Sequence, residues 1–134
     1  MRRPHRLSVG DAPETRRIGL ITQTHIVRFA GAGGDFNPLH HDPEFATRAG
    51  FRGVIAMGQM QAGMLAGFLT DWLGVEHLRE LEARFLAPVF LGDVLELSAE
   101  VVSIDGCVAQ VRASAEVAGK PVIAATAKAV VTAP

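Results

Sequence analysis

The stretch LELSAEVVSIDGCVAQVRASAEV, residues 95–117, is the part of the chain that decides its fold. Apolar and polar side chains alternate on both sides of Asp105-Gly106, and a period of two is typical of strands with one buried face. Asp-Gly between two alternating runs predicts a two-residue hairpin turn. Cys107 follows at the expected start of the second strand, where we expect a buried or half-buried structural thiol.

Further strands are predicted on both sides of this hairpin. Gly119-Lys120 indicates a second turn, residues 122–131 a final strand, and residues 80–89 a strand that precedes the hairpin. Together these segments predict a meander of about four antiparallel strands with one apolar face.

Residues 57–73 are the longest helical candidate. Their bulky side chains recur at helical intervals and form one apolar face: Met60, Met64, Leu65, Phe68, Leu69 and Trp72. Glycines and alanines between them keep the helix thin, which lets a sheet approach closely. A sheet with one apolar face and a single long helix predicts an α+β domain in which the helix lies in the curl of the sheet.

Shorter elements are predicted ahead of this helix. Residues 18–23 are a candidate first strand, and Thr24 is the predicted N-cap of a short helix that glycines end. Asp42 is the predicted cap of a second short helix, with Pro43 at its first position and Gly50 just past its end.

Length and composition indicate a single domain over residues 1–134. The net charge is −1 and the basic residues are scattered, so neither nucleic acid nor a membrane surface is an expected partner. A single cysteine excludes an intramolecular disulfide. No apolar run follows the early arginines, and glutamines and glycines interrupt the longest apolar stretch. We therefore expect neither a secretory signal nor a membrane span, and a cytoplasmic protein.

A second informative stretch is GDFNPLHHD, residues 34–42. Pro38 disfavours a helical conformation at Asn37 and lacks a backbone N–H, so the chain is predicted to turn between Asp35 and His40. The carboxyl group and the imidazole can then face one small volume. This pairing suits a reaction in which one water loses a proton while a neighbouring carbon gains one, which is hydration or its reverse.

The same stretch resembles the signature of MaoC-like (R)-specific enoyl-CoA hydratases and related 3-hydroxyacyl-thioester dehydratases, which have the hotdog fold. Their pattern of Phe-Ala, Gly-Asp-x-Asn-Pro-(Leu/Ile)-His and a helix entered through Gly reads here as Phe29-Ala30, residues 34–40 and residues 53–58. The phrase PVFLGD, residues 88–93, extends the likeness to about residues 20–100. The resemblance implies an antiparallel sheet of about five strands wrapped around one long central helix.

The resemblance also implies site residues. Asp35 and His40 would be a catalytic dyad holding one water, which adds to C3 of a trans-2-enoyl thioester while C2 gains a proton. The backbone N–H of Gly58 would polarise the thioester carbonyl, and a helix start supplies free N–H groups and partial positive charge for this. Asn37 and Pro38 would support the loop. Acyl-CoA or a related thioester is then the substrate, and no cofactor or metal is implied.

Residues beside Gly58 are candidate contacts for the substrate. Met57 and Met60 could line an acyl pocket with Met64, although an apolar stripe at helical spacing is more often core. Gln59, between them, is a further candidate. Met57 also departs from the family pattern, because relatives usually have His at this position.

Each candidate residue has a structural alternative. Asp35 could only cap a turn, and His40 could be a satisfied structural histidine. His41 is predicted to be structural or exposed. A metal site would need ligands beyond these residues and Asp42, and no further ligand cluster is evident in the sequence.

Two other functions stay open. A hotdog thioesterase would use a carboxylate on the long helix, which carries only Asp71 near its far end. A non-catalytic module would bind acyl thioesters without reaction.

An exposed sheet edge and a shallow pocket predict a homodimer or a dimer of dimers, and the resemblance places the substrate along the subunit interface.

Overall fold

A five-stranded sheet forms the centre of the computed structural model, which describes residues 3–132. The strands are β1 (Arg16–Ile18), β2 (Leu78–Phe85), β3 (Leu95–Asp105), β4 (Val108–Val117) and β5 (Lys120–Val130). Their order across the sheet is β1-β3-β4-β5-β2, and all neighbours are antiparallel. The meander is confirmed for β3, β4 and β5, whereas β2 pairs with β5 and forms the far edge.

Three α-helices and one short 3-10 turn connect the strands. They are α1 (Gln23–Gly33), the 3-10 turn (Pro38–His40), α2 (Pro43–Arg48) and α3 (Gly58–Leu73). The long helix begins one residue after its predicted start and ends where predicted. Within residues 3–132, no helix combines the length and the hydrophobicity that a bilayer crossing requires.

Helix α3 packs on the apolar face of the sheet and contacts strands β2 to β5. Alternate side chains of β3 and β4 are buried, as their period of two predicts. They form one core with Leu65, Phe68 and Leu69 of α3. Burial stabilises the fold by about 1.5–3 kcal/mol for each such large side chain, before entropy is counted. This antiparallel sheet around a single central helix is the predicted hotdog fold.

The first strand differs from its prediction. It spans Arg16–Ile18 and overlaps the predicted strand only at Ile18. Pairing with residues 95–97 of β3 fixes its position. Further along, Ile21 exchanges backbone hydrogen bonds with residues 92 and 93, outside the regular sheet. Pairing with β3 therefore determines which residues form β1, and the local sequence pattern does not determine this.

Helix α1 begins earlier than predicted because its N-cap is Thr22, not Thr24. The Thr22 hydroxyl accepts a hydrogen bond from the His25 N–H, and the His25 ring accepts one from the Thr22 N–H. Histidine thus completes a capping box that Glu or Gln more commonly closes. The helix also continues through Gly31, and Gly34 caps its end.

Both hairpin turns lie one residue away from their predicted positions. Gly106-Cys107 forms the β3–β4 turn, and Ala118-Gly119 forms the β4–β5 turn. Gly106 has φ 58°, Ala118 φ 50° and Gly119 φ 76°, the left-handed conformations that tight hairpins require. Cys107 is exposed in its turn, so the prediction of a buried or half-buried thiol is wrong.

Strand β2 ends at Phe85, before the predicted end of this strand at residue 89. Residues 86–89 leave the sheet and reach the segment that precedes α3. There the carbonyl of Val89 accepts a hydrogen bond of 2.7 Å from the Ala56 N–H. This departure brings residues 85–89 close to the start of α3.

Candidate active site

The loop that carries Asp35 and His40, residues 34–42, begins where α1 ends. We call it the dyad loop. Gly34 adopts φ 69°, and its N–H and the Asp35 N–H both donate to the carbonyl of Ala30. Glycine takes this left-handed conformation without a steric penalty, so it ends the helix and turns the chain. The Asn37 N–H then donates to Asp35 Oδ1 at 3.3 Å.

The rest of the dyad loop is a hydrogen-bonded turn. Pro38 occupies its first position, and the Asn37 side-chain oxygen accepts a hydrogen bond from the Leu39 N–H at 3.0 Å. The Asp42 N–H donates to the Pro38 carbonyl at 2.8 Å, and the Asp42 carboxylate caps α2. Asn37 and Pro38 therefore make the contacts expected of residues that brace the loop.

Asp35 and His40 face each other across this turn. His40 Nε2 lies 3.5 Å from Asp35 Oδ2. The His40 side chain is 10% exposed and the Asp35 side chain 45%, so the pair lies where the interior meets solvent. The prediction that the turn brings the two side chains together is confirmed.

A backbone carbonyl orients the His40 ring. His40 Nδ1 lies 2.7 Å from the carbonyl oxygen of Ile55. A carbonyl only accepts hydrogen bonds, so Nδ1 carries a proton, and in the neutral form of the ring Nε2 presents a lone pair towards Asp35. An ionised carboxylate also only accepts. One water can therefore donate one O–H to each of the two groups.

The segment between the dyad loop and α3 is fixed on two sides. The Ile55 N–H donates to the Leu39 carbonyl at 3.0 Å, next to the bond that Ile55 accepts from His40. The following N–H, of Ala56, donates to Val89. The dyad and the start of α3 are therefore joined by a short, hydrogen-bonded stretch of backbone.

Helix α3 begins at Gly58 without a side-chain cap, because the N-cap residue Met57 offers no oxygen. In the part of the chain that the structure describes, the Gly58 N–H has no hydrogen-bond acceptor. Free N–H groups and the partial positive charge of a helix start favour a negatively charged or polarised oxygen. This is the property that the family resemblance implied for Gly58.

The ring of Phe85 packs directly on Gly58. A Cβ atom at position 58 would lie 2.9 Å from Cδ1 and Cε1 of that ring. Any other residue at 58 therefore requires Phe85 to move. Gly58 is thus closely packed against the end of β2.

A pocket of about 480 Å³ lies at this helix start. Its walls are formed by Phe51, Ile55 and Ala56, by Gly58, Gln59 and Gln61, and by residues 85–89 with Val122 and Ile123. Most of these side chains are apolar, and the polar ones are Gln59 and Gln61. Its volume lies within the range of small-molecule sites.

A larger concavity of about 1070 Å³ lies on the solvent face of the sheet. Small and charged side chains line it, including Glu100 and Arg112, which pair at 3.1 Å. None of the residues predicted for the site contributes to it. The candidate site is therefore the dyad together with the smaller pocket.

The predicted substrate contacts separate into two groups. Gln59 lines the smaller pocket. Met57 and Met60 are 3% and 5% exposed, belong to the main core and do not line that pocket. Met64 is half-buried against the same core. These methionines are therefore part of the core, which was the structural alternative to a role in substrate binding.

Two contacts at the site have no counterpart among the predictions. Gln23, at the start of α1, donates from Nε2 to the carbonyl of His40 at 3.0 Å and so holds the dyad loop. The carbonyl of Ile55 orients the His40 ring. Neither contact could be predicted from the sequence. A glutamine at a helix start does not indicate a partner 17 residues away, and any residue type supplies a backbone carbonyl.

The other candidate ligands and acids lie apart from the dyad. His41 is exposed, and its Nε2 lies 3.3 Å from the carbonyl of Phe36. Among residues 3–132, no three His, Cys, Asp or Glu side chains are grouped closely enough to hold a metal ion. Asp71 is 66% exposed and pairs with Arg16 at 2.9 Å.

Comparison with known proteins identifies the family. Residues 6–126 match the family model described as MaoC like domain. An (R)-specific enoyl-CoA hydratase of Aeromonas caviae is 34% identical over 102 residues, which cover 73% of each chain. A protein of the same name from Rhodospirillum rubrum is 32% identical over 111 residues, covering 77% of this chain and 74% of that one. The chain belongs to the MaoC-like domain family.

A solved structure agrees with this assignment. The (R)-hydratase from A. caviae involved in PHA biosynthesis superposes with a TM-score of 0.82 at 26% identity. The match covers 93% of this chain and 97% of that one. The predicted family and the hotdog fold are thus confirmed. These named relatives are hydratases, which belong to the hydro-lyases.

Proposed function

We propose that this protein catalyses the reversible hydration of a trans-2-enoyl-CoA, or a related acyl thioester, to the (R)-3-hydroxyacyl thioester. The observation that carries the proposal is the distance of 3.5 Å between His40 Nε2 and Asp35 Oδ2 on a braced loop. Membership of the MaoC-like family and the names of the hydratase relatives support the same reaction class.

The dyad performs the proton transfers of this reaction. Water donates one hydrogen bond to Asp35 and one to His40. As its oxygen bonds to C3 of the substrate, the C2–C3 π electrons move towards the thioester carbonyl, and His40 Nε2 takes the proton that the water loses. The imidazolium then returns a proton to C2 on the same face. His40 ends neutral, and Asp35 stays ionised, orienting the water and stabilising the imidazolium.

The start of α3 stabilises the charge that develops on the substrate. During addition, negative charge accumulates on the thioester oxygen. The Gly58 N–H, free in the described part of the chain, donates to this oxygen, and the helix start adds partial positive charge. Removal of one such donor typically slows catalysis by about 10²- to 10³-fold.

The pocket beside Gly58 receives the acyl group in this proposal. Its apolar walls suit a hydrocarbon chain, and Gln59 lies at its helix side. All proton transfers use water and the protein's own side chains, so the proposed reaction requires no cofactor. Coenzyme A, or the carrier of a related thioester, enters as part of the substrate.

The position of Asp71 disfavours the thioesterase alternative. Asp71 lies near the other end of α3, roughly 20 Å from Gly58 at a rise of about 1.5 Å per residue. Its carboxylate is exposed and paired with Arg16. A carboxylate at that distance cannot attack a thioester whose carbonyl lies at Gly58.

One assay distinguishes the three candidate functions. The protein is incubated with a short and a long trans-2-enoyl-CoA, and enoyl absorbance and free thiol are followed in parallel. Loss of absorbance without thiol release supports the hydratase. Release of thiol contradicts it in favour of a thioesterase, and no change of either signal favours the binding module. An Asp71→Asn variant is the matched control and should hydrate like the wild type.

A further inference from the structure

Arg52 holds its guanidinium group over the aromatic ring of Phe90. Its Cζ atom lies 3.9 Å from the ring centroid, and its Nη2 atom lies 3.4 Å from Asp93 Oδ1. The Arg52 side chain is 67% exposed, and within residues 3–132 Asp93 is its only hydrogen-bond acceptor. A guanidinium group has five N–H donors. Most of these donors are therefore available to a further acceptor.

This guanidinium group lies beside the pocket at the start of α3, outside the apolar wall. Phe51 and Val89 line the pocket, and Arg52 and Phe90 are the residues that follow them in the chain. None of the described residues that line the pocket has a charged side chain. If the apolar part of a ligand fills the pocket, an anionic part of the same ligand must lie outside it, where Arg52 is exposed.

One other cationic side chain adjoins the pocket wall in sequence. Arg84 precedes the wall residue Phe85, but successive side chains of a strand point to opposite faces of the sheet. Arg84 accordingly lines the larger concavity on the solvent face. Among the described residues next to the wall in sequence, Arg52 is thus the one cation that remains available to a ligand of the pocket.

The geometry of Arg52 suits a phosphate group. A planar guanidinium offers parallel N–H groups that match two phosphate oxygens, and stacking on an aromatic ring orients this plane before a ligand binds. Asp93 competes weakly, because its single contact with Arg52 is long and its other carboxylate oxygen accepts the Phe90 N–H at 2.8 Å. Coenzyme A joins a thioester to phosphate groups through the pantetheine arm. It can therefore place an acyl group in the pocket and a phosphate outside it.

We propose that Arg52 binds a phosphate group of coenzyme A and so makes a CoA thioester the preferred substrate. This inference rests on the proposed function, because it places the acyl group of the thioester in the pocket. It specifies the carrier of the acyl group, which the reaction chemistry alone leaves open.

Two unreactive thioesters test this inference separately from catalysis. Butanoyl-CoA carries the phosphates, whereas S-butanoylpantetheine has the same acyl group and arm without them. Titration calorimetry gives the Kd of each for the wild type and for Arg52→Gln. The substitution should raise the Kd of butanoyl-CoA about three- to tenfold, the range for one charge-assisted contact at an exposed site, and leave that of S-butanoylpantetheine unchanged.

Salt dependence and a matched variant separate a phosphate contact from a structural role. Raising NaCl from about 0.05 to 0.5 M should reduce the difference between wild type and Arg52→Gln, because salt screens exposed charges. Arg112 is 68% exposed and pairs with Glu100 at 3.1 Å on the solvent face of the sheet. Arg112→Gln should therefore bind both thioesters like the wild type.

Circular dichroism first establishes that each variant is folded. Arg52→Met, which keeps an apolar stem against Phe90, replaces Arg52→Gln if that variant does not fold. Equal weakening of both thioesters would show that Arg52 only supports the fold and would overturn the proposal. Unchanged binding of butanoyl-CoA by Arg52→Gln would overturn it as well.

Hydration assays separate this inference from the proposed function. Arg52-dependent binding of butanoyl-CoA without hydration of crotonyl-CoA supports the inference and contradicts the hydratase. Hydration of crotonyl-CoA with the same KM in wild type and Arg52→Gln contradicts the inference alone. Hydration of a crotonyl carrier-protein thioester without binding of butanoyl-CoA also contradicts the inference alone. Absence of both binding and hydration contradicts both.

Discussion

His40 and Ile55 are joined by a hydrogen bond of 2.7 Å between the ring Nδ1 and the Ile55 carbonyl oxygen. The bond connects the dyad loop to the backbone that leads into α3. It fixes which ring nitrogen carries the proton and leaves Nε2 facing Asp35. The geometry of the dyad thus depends on the backbone conformation beside it as well as on the two side chains.

Replacing Gly58 by proline tests the oxyanion role of its N–H. Gly58→Pro should have a kcat about 100-fold below that of Gly58→Ala, because proline removes the donor. Both variants add a Cβ that meets Phe85, so the pair is matched for that contact. Met57 has φ −71° and ψ 132°, a conformation compatible with a following proline. Circular dichroism and thermal unfolding first establish that both are folded. Equal rates would place the oxyanion site elsewhere.

Gln23→Met should slow the reaction without any change to the dyad itself. The substitution removes the donor that holds the His40 carbonyl, so we expect a several-fold lower kcat and a free energy of unfolding lower by about 1 kcal/mol. Steady-state kinetics and urea denaturation measure the two effects. Thr24→Ala changes an exposed residue of the same helical turn and should behave like the wild type. A Gln23→Met protein with wild-type kcat would show that this bond is not needed for loop geometry.

The edge of the sheet predicts self-association. β2 is an eight-residue edge strand, and Phe85 and Leu86 at its end are 50% and 46% exposed. Unpaired edge groups and adjacent apolar side chains favour pairing with a second copy. Light scattering after gel filtration should show a homodimer or a dimer of dimers at micromolar concentration. A monomer that keeps full activity at that concentration contradicts this expectation.

The parts of the site that could be predicted depend on short-range signals. Local conformation in the dyad loop is set by residues that act on their immediate neighbours. These are Gly34 in the left-handed conformation, Pro38 in the turn, and Asp42, which caps the helix that begins at Pro43. The sequence therefore indicated that Asp35 and His40 converge. The packing of α3 on the sheet was also predictable, because α3 has one apolar face and apolar side chains alternate along β3 and β4.

The parts that could not be predicted depend on distant partners or on small differences in backbone conformation. The position of β1 follows from β3, and Gln23 reaches a residue of another element. The one-residue shift at Gly106 moved Cys107 from a strand into an exposed turn. Burial of Met57 and Met60 in the core depends on how α3 rotates against the sheet, which an apolar stripe does not specify.

The central claim is that Asp35 and His40 act on one water, and a double-mutant cycle tests it most directly. The values of kcat/KM are measured for Asp35→Asn, His40→Gln and the double variant, with His41→Gln as the exposed neighbouring control. We expect each single change to lower hydration by about 10²- to 10⁴-fold, and the double variant to be hardly slower than the slower single variant. Losses that multiply in the double variant, or a single variant that keeps a rate near the wild type, would contradict the claim.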